Sequence, residues 1–106
     1  MLNQVVIVGR IEKIEEIGEG IKLTLKVPRS YKNDNGDFET DYIPISVKKG
    51  MAENIKQYCA ENDLVGIKGR IESNNNGIEL IAEKATFLSS SQNKKPDDVL
   101  NTKNGE

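Results

Sequence analysis

The chain has 106 residues and a mass of 11.8 kDa, the size of a single domain. Fifteen Lys and Arg residues against seventeen Asp and Glu residues give a net charge of −2. The lack of His and the single cysteine, Cys59, exclude a His/Cys zinc site, a disulfide framework within the chain and a Ser-His or Cys-His dyad. No apolar run reaches the roughly 18–20 residues of a membrane span, and the N-terminus lacks the basic region of a signal peptide. With one thiol, these features predict a cytoplasmic protein.

The first predicted strand is apolar on both faces, because residues 5–8 are Val5, Val6, Ile7 and Val8. In a domain this small, only one face of a strand can pack on the domain's own core. We therefore predict that this segment forms an interface in a homo-oligomer. Gly9, which follows it, predicts a bulge or sharp bend that lets one strand serve both halves of a small barrel.

The next two predicted strands alternate with a period of two, which indicates half-buried strands. Residues 21–27 and 42–48 place their apolar side chains on one face: Ile21, Leu23, Leu25, Val27, Ile43, Ile45 and Val47. The polar residues between them, with Tyr42, face outward. The segment KNDNGD, residues 32–37, predicts a turn between strands that end near Tyr31 and begin near Phe38.

One helix and two further strands follow. Residues 51–61 carry an apolar stripe of Met51, Ile55, Tyr58 and Cys59, which predicts a helix with Tyr58 in the core. Residues 64–72 predict a strand with Val65, Ile67, Gly69 and Ile71 inward and Lys68 and Arg70 outward. The Asn- and Gly-rich segment 73–77 predicts a tight hairpin turn into a last strand over residues 78–88.

This order of elements predicts an all-β fold, a five-stranded OB-fold Greek-key barrel with one helix between strands 3 and 4. From Ser89 onward the only sizeable apolar residues are Val99 and Leu100. Such a segment buries too little apolar surface to offset its ordering entropy. We therefore predict an OB-fold domain over residues 1–88 and a disordered C-terminal tail over residues 89–106.

The sequence resembles the bacterial single-stranded DNA-binding proteins. The opening MLNQVVIVGRI is similar to the N-terminal strand of that family. Residues 40–73, TDYIPISVKKGMAENIKQYCAENDLVGIKGRIES, are similar to its third strand, helix and fourth strand. The resemblance implies sequence-independent binding of single-stranded DNA, protection of exposed strands in replication, recombination, repair or transfer, and a homo-oligomer, with a tetramer favoured over a dimer.

The resemblance and the outward faces of the strands together indicate which residues contact nucleic acid. Tyr31 and Tyr42 match aromatic positions of the family and are predicted to stack on bases. The cations predicted to contact phosphates are Lys26, Arg29, Lys48, Lys49, Lys68 and Arg70. The alternatives are a tyrosine that only covers barrel surface and a solvated lysine face that discourages edge pairing. Lys48 stands where many members carry Phe or Trp.

The C-terminus departs from the family. Members commonly end in an acidic run and a small apolar pair that docks on partner enzymes, whereas this chain ends in NTKNGE. Recruitment of repair enzymes by such a tail is therefore not predicted. One interpretation is a short-tailed member from a phage, plasmid or mobile element.

Two alternative functions on the same fold remain open. The first is a protein-interaction module of the primosomal accessory type, with weak or no nucleic-acid binding. The second is a reader of RNA or oligosaccharide.

The sequence contains no motif typical of catalysis. Neither G-x-G-x-x-G nor the P-loop motif occurs, and no acid-base pair stands out. We therefore predict no enzymatic activity, no cofactor and no metal site.

Overall fold

Five strands and one helix make up the part of the chain that the computed structural model describes, residues 1–90. They are β1 (Val5–Ile17), β2 (Gly20–Lys32), β3 (Phe38–Val47), α1 (Lys49–Tyr58), β4 (Leu64–Asn74) and β5 (Gly77–Ser89). The strands close into a barrel in the order β1-β2-β3-β5-β4. Only the β3–β5 pairing is parallel among these strands. The predicted five-stranded barrel with a helix between strands 3 and 4 is confirmed.

The predicted domain limit lies close to the end of β5, which extends to Ser89. The predicted disordered tail, residues 89–106, lies outside the described residues apart from Ser89 and Ser90. The division into a domain and a tail stays a prediction.

The core is built from the inward rows that alternation predicts. The members that are at most 4% exposed are Ile11, Ile21, Leu23, Leu25, Ile45, Val47, Val65 and Ile67. Two residues of α1, Ala52 and Ile55, join this cluster and are equally buried. Full burial of a Leu or Ile side chain contributes about 1.5–3 kcal/mol relative to its exposure. Packing of these rows is therefore what holds the barrel closed.

β1 belongs to both halves of the barrel, as the interpretation of Gly9 predicted. Its residues 5–10 pair with β4, and its residues 10–17 pair with β2. The position of the bulge differs from the prediction, because the register shifts between Ile11 and Lys13 rather than at Gly9. Gly9 instead allows two strands to approach closely. A Cβ there would lie 2.6 Å from the carbonyl oxygen of Lys26.

The predicted core position of Tyr58 is wrong, since its side chain is 65% exposed. At about 100° per residue, Tyr58 lies about 90° from the direction in which Ala52 and Ile55 face the barrel. α1 begins two residues earlier than predicted and ends at Tyr58, so Cys59 caps it in an extended conformation.

No helix within residues 1–90 has the length and apolarity to cross a membrane.

The β4–β5 hairpin continues past the barrel, which explains a second difference from the predicted pattern. Ile71 was expected inward, yet it is 37% exposed. Asn74 pairs with Gly77, so the turn itself contains only Asn75 and Asn76 and is tighter than the predicted segment 73–77. Near the tip of this hairpin, an inward-pointing side chain has no core residues to pack against.

Gly69 supplies a test of barrel closure. A Cβ at Gly69 would overlap the carbonyl oxygen of Ile81 in β5. Backbone cannot yield as the tip of a side chain can, so we expect Gly69→Ala to lower the free energy of unfolding by about 1–3 kcal/mol. Urea unfolding at a fixed protein concentration measures this loss.

Gly66→Ala, on the same strand, is the matched control. Its new Cβ would lie 3.7 Å from side-chain atoms of Leu88 and Val8, an ordinary contact. We expect little change in the unfolding free energy of this variant. Equal losses in Gly66→Ala and Gly69→Ala would contradict the proposed close approach of β4 and β5.

Candidate nucleic-acid interface

The outward sides of β2 and β3 form one continuous surface, which we call the β2–β3 outer face. Side chains alternate along each strand, and the register pairs Lys22 with Ser46, Thr24 with Pro44 and Lys26 with Tyr42. The full rows are Lys22, Thr24, Lys26, Pro28 and Lys32 on β2, and Phe38, Thr40, Tyr42, Pro44 and Ser46 on β3, extended by Lys48. Neither row contains a carboxylate.

Tyr42 stands between two open depressions on this face and is 59% exposed. The first has a volume of about 500 Å³, and Arg10 and Lys26 are among the residues that line it. The second has a volume of about 440 Å³, and its lining includes Lys13 and Lys22 together with the carboxylate of Glu12. Both lysines form exposed ion pairs with Glu15, at 3.5 and 4.0 Å. An exposed ring with cations on both sides is an arrangement that can hold a planar, negatively charged ligand.

Asn62 holds two of these cations side by side. Its side-chain oxygen accepts a hydrogen bond from Nζ of Lys26 at 2.8 Å, and its carbonyl oxygen accepts one from Arg10 at 2.9 Å. The backbone of Asn62 is left-handed, with φ of 73°, a conformation that Asn tolerates better than most residues. Its N–H donates to the carbonyl of Ile11, which fixes this loop on β1. Because Asn62 is neutral, it orients Arg10 and Lys26 without cancelling their charge.

Sequence reasoning did not nominate Arg10 or Asn62. Arg10 could have been found, because it follows the apolar run of the first strand on the side opposite the core. Its register partner on β2 is Lys26. Asn62 lies in the loop between α1 and β4, where the sequence has no periodic pattern. Its position beside β1 is visible only in the folded structure.

Arg29 and Tyr31 lie on the reverse side of the β2–β3 hairpin. Arg29 donates hydrogen bonds to Asp41 at 2.8 and 3.1 Å and to Glu39 at 2.9 Å. Glu39 and Asp41 alternate with the outward Thr40 and Tyr42 and so face the other way. Tyr31 is 64% exposed and lies close enough to Arg29 to interact electrostatically with it. The structure thus separates Arg29 and Tyr31 from Tyr42.

The Arg29–Asp41 pair shifts the pKa of both groups. The hydrogen bond to Asp41, followed by its charge, raises the pKa of Arg29. The hydrogen bond from Arg29 lowers the pKa of Asp41, against a smaller opposing effect of burial. Both groups therefore remain charged in the folded chain, and their charges compensate each other.

Lys48 and Lys49 mark the end of β3, where the strand passes into α1. Lys48 extends the outward row beyond Ser46, and Lys49 is the first residue of the helix. Both side chains are exposed. Neither makes an ion pair or a side-chain hydrogen bond within residues 1–90. They are available to an anion that follows the outer face.

Lys68 and Arg70 lie on another part of the barrel. Their strand, β4, is separated from β3 by β5 on one side and by β1 and β2 on the other. Arg70 forms ion pairs with Glu72 and Glu83. Lys68 is exposed and pairs in register with Val6. The structure does not bring these two cations together with Tyr42.

The apolar segment of β1 presents one row to the core and one outward. Val5 and Ile7 are half-buried, whereas Val6 is 65% and Val8 50% exposed. Leu88 of β5 continues this outward row. Gly66 of β4 is the register partner of Val8, and a Cβ at Gly66 would lie 3.7 Å from the side chains of both Val8 and Leu88. Lys68, a predicted phosphate contact, and Val6, a predicted interface residue, therefore share one face.

Other reactive groups are scarce in the described residues. Cys59 is half-buried, and burial raises the pKa of its thiol, which makes it a poor nucleophile at neutral pH. Within residues 1–90, no three Asp, Glu, Cys or His side chains come together as a metal site.

Comparisons with known proteins agree with this geometry. Residues 2–86 match the model of the "Single-strand binding protein family". Single-stranded DNA-binding protein B of Bacillus subtilis is 35% identical over 103 residues, which cover 83% of this chain and 91% of that protein. Single-stranded DNA-binding protein 2 of Staphylococcus aureus is 34% identical over an alignment of 110 positions, which covers 90% of this chain and 79% of its relative.

Solved structures show the same fold at lower sequence identity. A mitochondrial single-stranded DNA-binding protein of S. cerevisiae superposes with a TM-score of 0.66 and 18% identity, over 85% of this chain and 97% of that one. A Plasmodium falciparum SSB in complex with single-stranded DNA superposes with a TM-score of 0.63 and 19% identity, over 84% and 96% of the two chains. At these identities the likeness concerns the fold alone.

The lowered pKa of Asp41 gives a test of the ion pair behind the hairpin. A depressed carboxyl pKa contributes stability that is fully present above the unfolded-state pKa and is lost as pH falls through the folded-state pKa. We expect Arg29→Gln to raise the pKa of Asp41 toward its ordinary value, as measured by carboxyl-carbon NMR titration. Arg70→Gln, on β4, is the control and should leave the Asp41 curve in place. Identical Asp41 curves in the parent and Arg29→Gln would contradict the pairing.

Proposed function

Because the chain belongs to the single-strand binding protein family, we propose that it binds single-stranded DNA, without sequence preference, across the β2–β3 outer face. The observation that carries this proposal is the pair of acid-free side-chain rows in which Tyr42 stands between two depressions lined by cations. Any base can stack on an aromatic ring and any phosphate can pair with Lys or Arg, so no base-specific hydrogen bond is needed. The protein would protect exposed strands in replication, recombination or repair. As its relatives are bacterial, we place this activity in the cytoplasm.

The net charge of −2 is compatible with this role, because the carboxylates lie beside or behind the outer face. Asp41 and Glu39 are engaged by Arg29 on the reverse side of the hairpin. On β1, Glu12 lies 3.8 Å from Nζ of Lys26. Exposed ion pairs of this kind contribute only about 0–1 kcal/mol. A phosphate can therefore replace the carboxylate partner of Lys26 at small cost.

The predicted contacts fall into two groups in this proposal. Tyr42, Lys26 and Lys48 act together, since they share the outer face. The remaining predicted contacts, Tyr31, Arg29, Lys49, Lys68 and Arg70, contribute only where the strand leaves that face. Of these, Arg29 and Arg70 must also release carboxylate partners. We therefore assign the largest share of binding to Tyr42 and the smallest to the paired arginines.

We also propose that the protein is a homo-oligomer, with a tetramer favoured over a dimer. The outward row of Val6, Val8 and Leu88 is exposed on the isolated chain, each side chain by 48% or more. A contiguous apolar row of this kind on a sheet is a surface that self-association buries. Val5 and Ile7, the other members of the predicted interface, pack inward and would support it from within.

Fluorescence anisotropy of labelled oligo(dT) at several salt concentrations separates stacking from charge. We expect Tyr42→Ala to weaken binding by about 1–3 kcal/mol, roughly 5- to 150-fold, with the salt dependence nearly unchanged. Lys48→Ala should reduce the slope of log K against log salt by about 0.7, the effect of one phosphate contact. Tyr58→Ala, which removes an exposed tyrosine from α1, is the matched control and should bind like the parent.

Duplex DNA and RNA of equal length serve as competitors in the same experiment. Duplex DNA should displace oligo(dT) poorly, because the proposed site requires unstacked bases. Displacement by RNA that is stronger than displacement by single-stranded DNA of equal length would instead favour the RNA-reader alternative. Absence of binding to any oligonucleotide at low salt would reject the proposal in favour of the protein-interaction module. If Tyr42→Ala binds oligo(dT) as the parent does, the strand follows a different path.

Light scattering of Val6→Asp tests the oligomer. Val6 points outward, so we expect this variant to keep the circular dichroism spectrum of the parent and yet to scatter as an 11.8 kDa particle. Ile17→Asp is the control, because Ile17 is 57% exposed on the same strand but lies at its far end. It should keep the parent assembly. A parent protein that itself scatters at 11.8 kDa would rule the assembly out.

A further inference from the structure

Phe38 is an exposed aromatic residue on the same face as Tyr42. It begins β3 and its side chain is 57% exposed. The two residues are four positions apart, so they project from the same side of the strand, about 13 Å from each other along it. Neither its burial nor a contact with the core explains an aromatic side chain at this position.

A bulge in β2 gives Phe38 the same kind of cross-strand partner that Tyr42 has. Between the pairs Pro28–Thr40 and Lys32–Phe38, β2 has three residues and β3 has one. Lys32 stays on the outer face, because it lies four residues after Pro28, and the irregularity places it opposite Phe38. Nζ of Lys32 lies 5.6 Å from the centre of the Phe38 ring. The outer face thus repeats one unit, an aromatic residue on β3 opposite a lysine on β2, first as Tyr42 with Lys26 and then as Phe38 with Lys32.

The turn that precedes Phe38 is held in place by its own hydrogen bonds. The side-chain oxygen of Asn33 accepts bonds from the N–H groups of Asn35 and Asp37 at 2.9 and 3.0 Å. The N–H of Asn33 donates to the carbonyl of Asp37 at 2.8 Å. These bonds fix the position at which β3 begins. Phe38 is therefore presented on an ordered hairpin before any ligand arrives.

Lys32 offers an unpaired cation beside the Phe38 ring. The turn between them carries two carboxylates, Asp34 and Asp37, and neither forms an ion pair with Lys32 in the described residues. Glu39, the nearest carboxylate along β3, is bound to Arg29 and to the side chain of Asn33. Lys32 itself makes no ion pair within residues 1–90. Its ammonium group is thus free to neutralise a phosphate beside the Phe38 ring.

We propose that Phe38 and Lys32 form a second nucleotide subsite, in which a base stacks on the ring of Phe38 and a phosphate contacts Lys32. This inference rests on the proposed binding of single-stranded DNA. One nucleotide step is shorter than the roughly 13 Å between the two aromatic positions, even in an unstacked strand. The bases on Tyr42 and Phe38 are therefore not neighbours in the strand. At least one nucleotide bridges them, and very short oligonucleotides occupy only one subsite.

A tryptophan reporter tests whether a base reaches Phe38. The chain contains no tryptophan, so Phe38→Trp introduces a single one. We expect its fluorescence to be quenched on titration with oligo(dT), with an affinity within about twofold of the parent, since Trp also stacks on bases. Tyr58→Trp is the matched control. Tyr58 is similarly exposed but lines another depression, with Phe87 and Leu88, and its tryptophan should not be quenched.

Phe38→Leu tests whether the contribution comes from the aromatic ring. Leucine keeps an apolar side chain and loses the π-face, so we expect binding of long oligo(dT) to weaken at least about fivefold. Phe38→Tyr should restore it. Oligonucleotides of two nucleotides should distinguish the parent from Phe38→Leu by no more than about twofold, because they cannot occupy both aromatic residues at once and Tyr42 remains available to them. Circular dichroism establishes that each variant is folded.

The outcomes separate this inference from the proposed function. If the parent binds oligo(dT), while Phe38→Trp is not quenched and Phe38→Leu binds like the parent, the second subsite is wrong and the proposed function stands. If the parent binds no oligonucleotide at low salt, both fail. Quenching of Phe38→Trp with weakened binding of Phe38→Leu supports the subsite even if Phe38→Leu is somewhat less stable.

Discussion

Burial of one side of β2 and β3 is the constraint on which the rest of the molecule depends. Leu23, Leu25 and Ile45 are at most 1% exposed, and their packing closes the barrel. Since successive side chains of a strand alternate, this burial forces Lys26 and Tyr42 to the outside. A register slip of one residue would expose the core row and bury the lysines together. The proposed binding surface is thus a direct consequence of how the core is packed.

Much of the fold could be predicted because the two sides of most strands differ so clearly. The inward rows of β2 and β3 agree with the structure residue by residue, and the order of elements pointed to the barrel. Prediction was weaker where one pattern has two physical causes. A glycine in a strand marks either a bulge or a close approach of two backbones, and only the position of Lys26 shows that Gly9 is the second case. In α1, an apolar stripe of four residues did not determine which residues face the barrel. Ala52 and Ile55 do, whereas Tyr58 is exposed.

Alternation predicts the side of the strand on which a residue of the candidate site lies, but not its partner on the next strand. Tyr42 and Lys26 lie within regular strand and were placed correctly on the outward side. Counting by twos along β2 already places Arg29 and Tyr31 on the side of Val27, so their assignment to the outward face was an error of side. What alternation does not give is the register between Pro28 and Lys32, where two extra residues in β2 bring Lys32 opposite Phe38. No local pattern indicates the size of this irregularity, because it is set by the pairing with β3.

The reverse side of the hairpin explains how a chain with a net negative charge can present a cationic face. At physiological ionic strength a charge is screened over about 8 Å, so a phosphate on the outer face interacts with the nearby lysines rather than with the chain as a whole. Asp41 and Glu39 are directed away from that face and held by Arg29. The carboxylates of this ion-pair cluster also disfavour the binding of a second stretch of phosphates on the reverse side. The hairpin therefore favours a strand that crosses one side only, along the line from Lys48 through Tyr42 to Phe38.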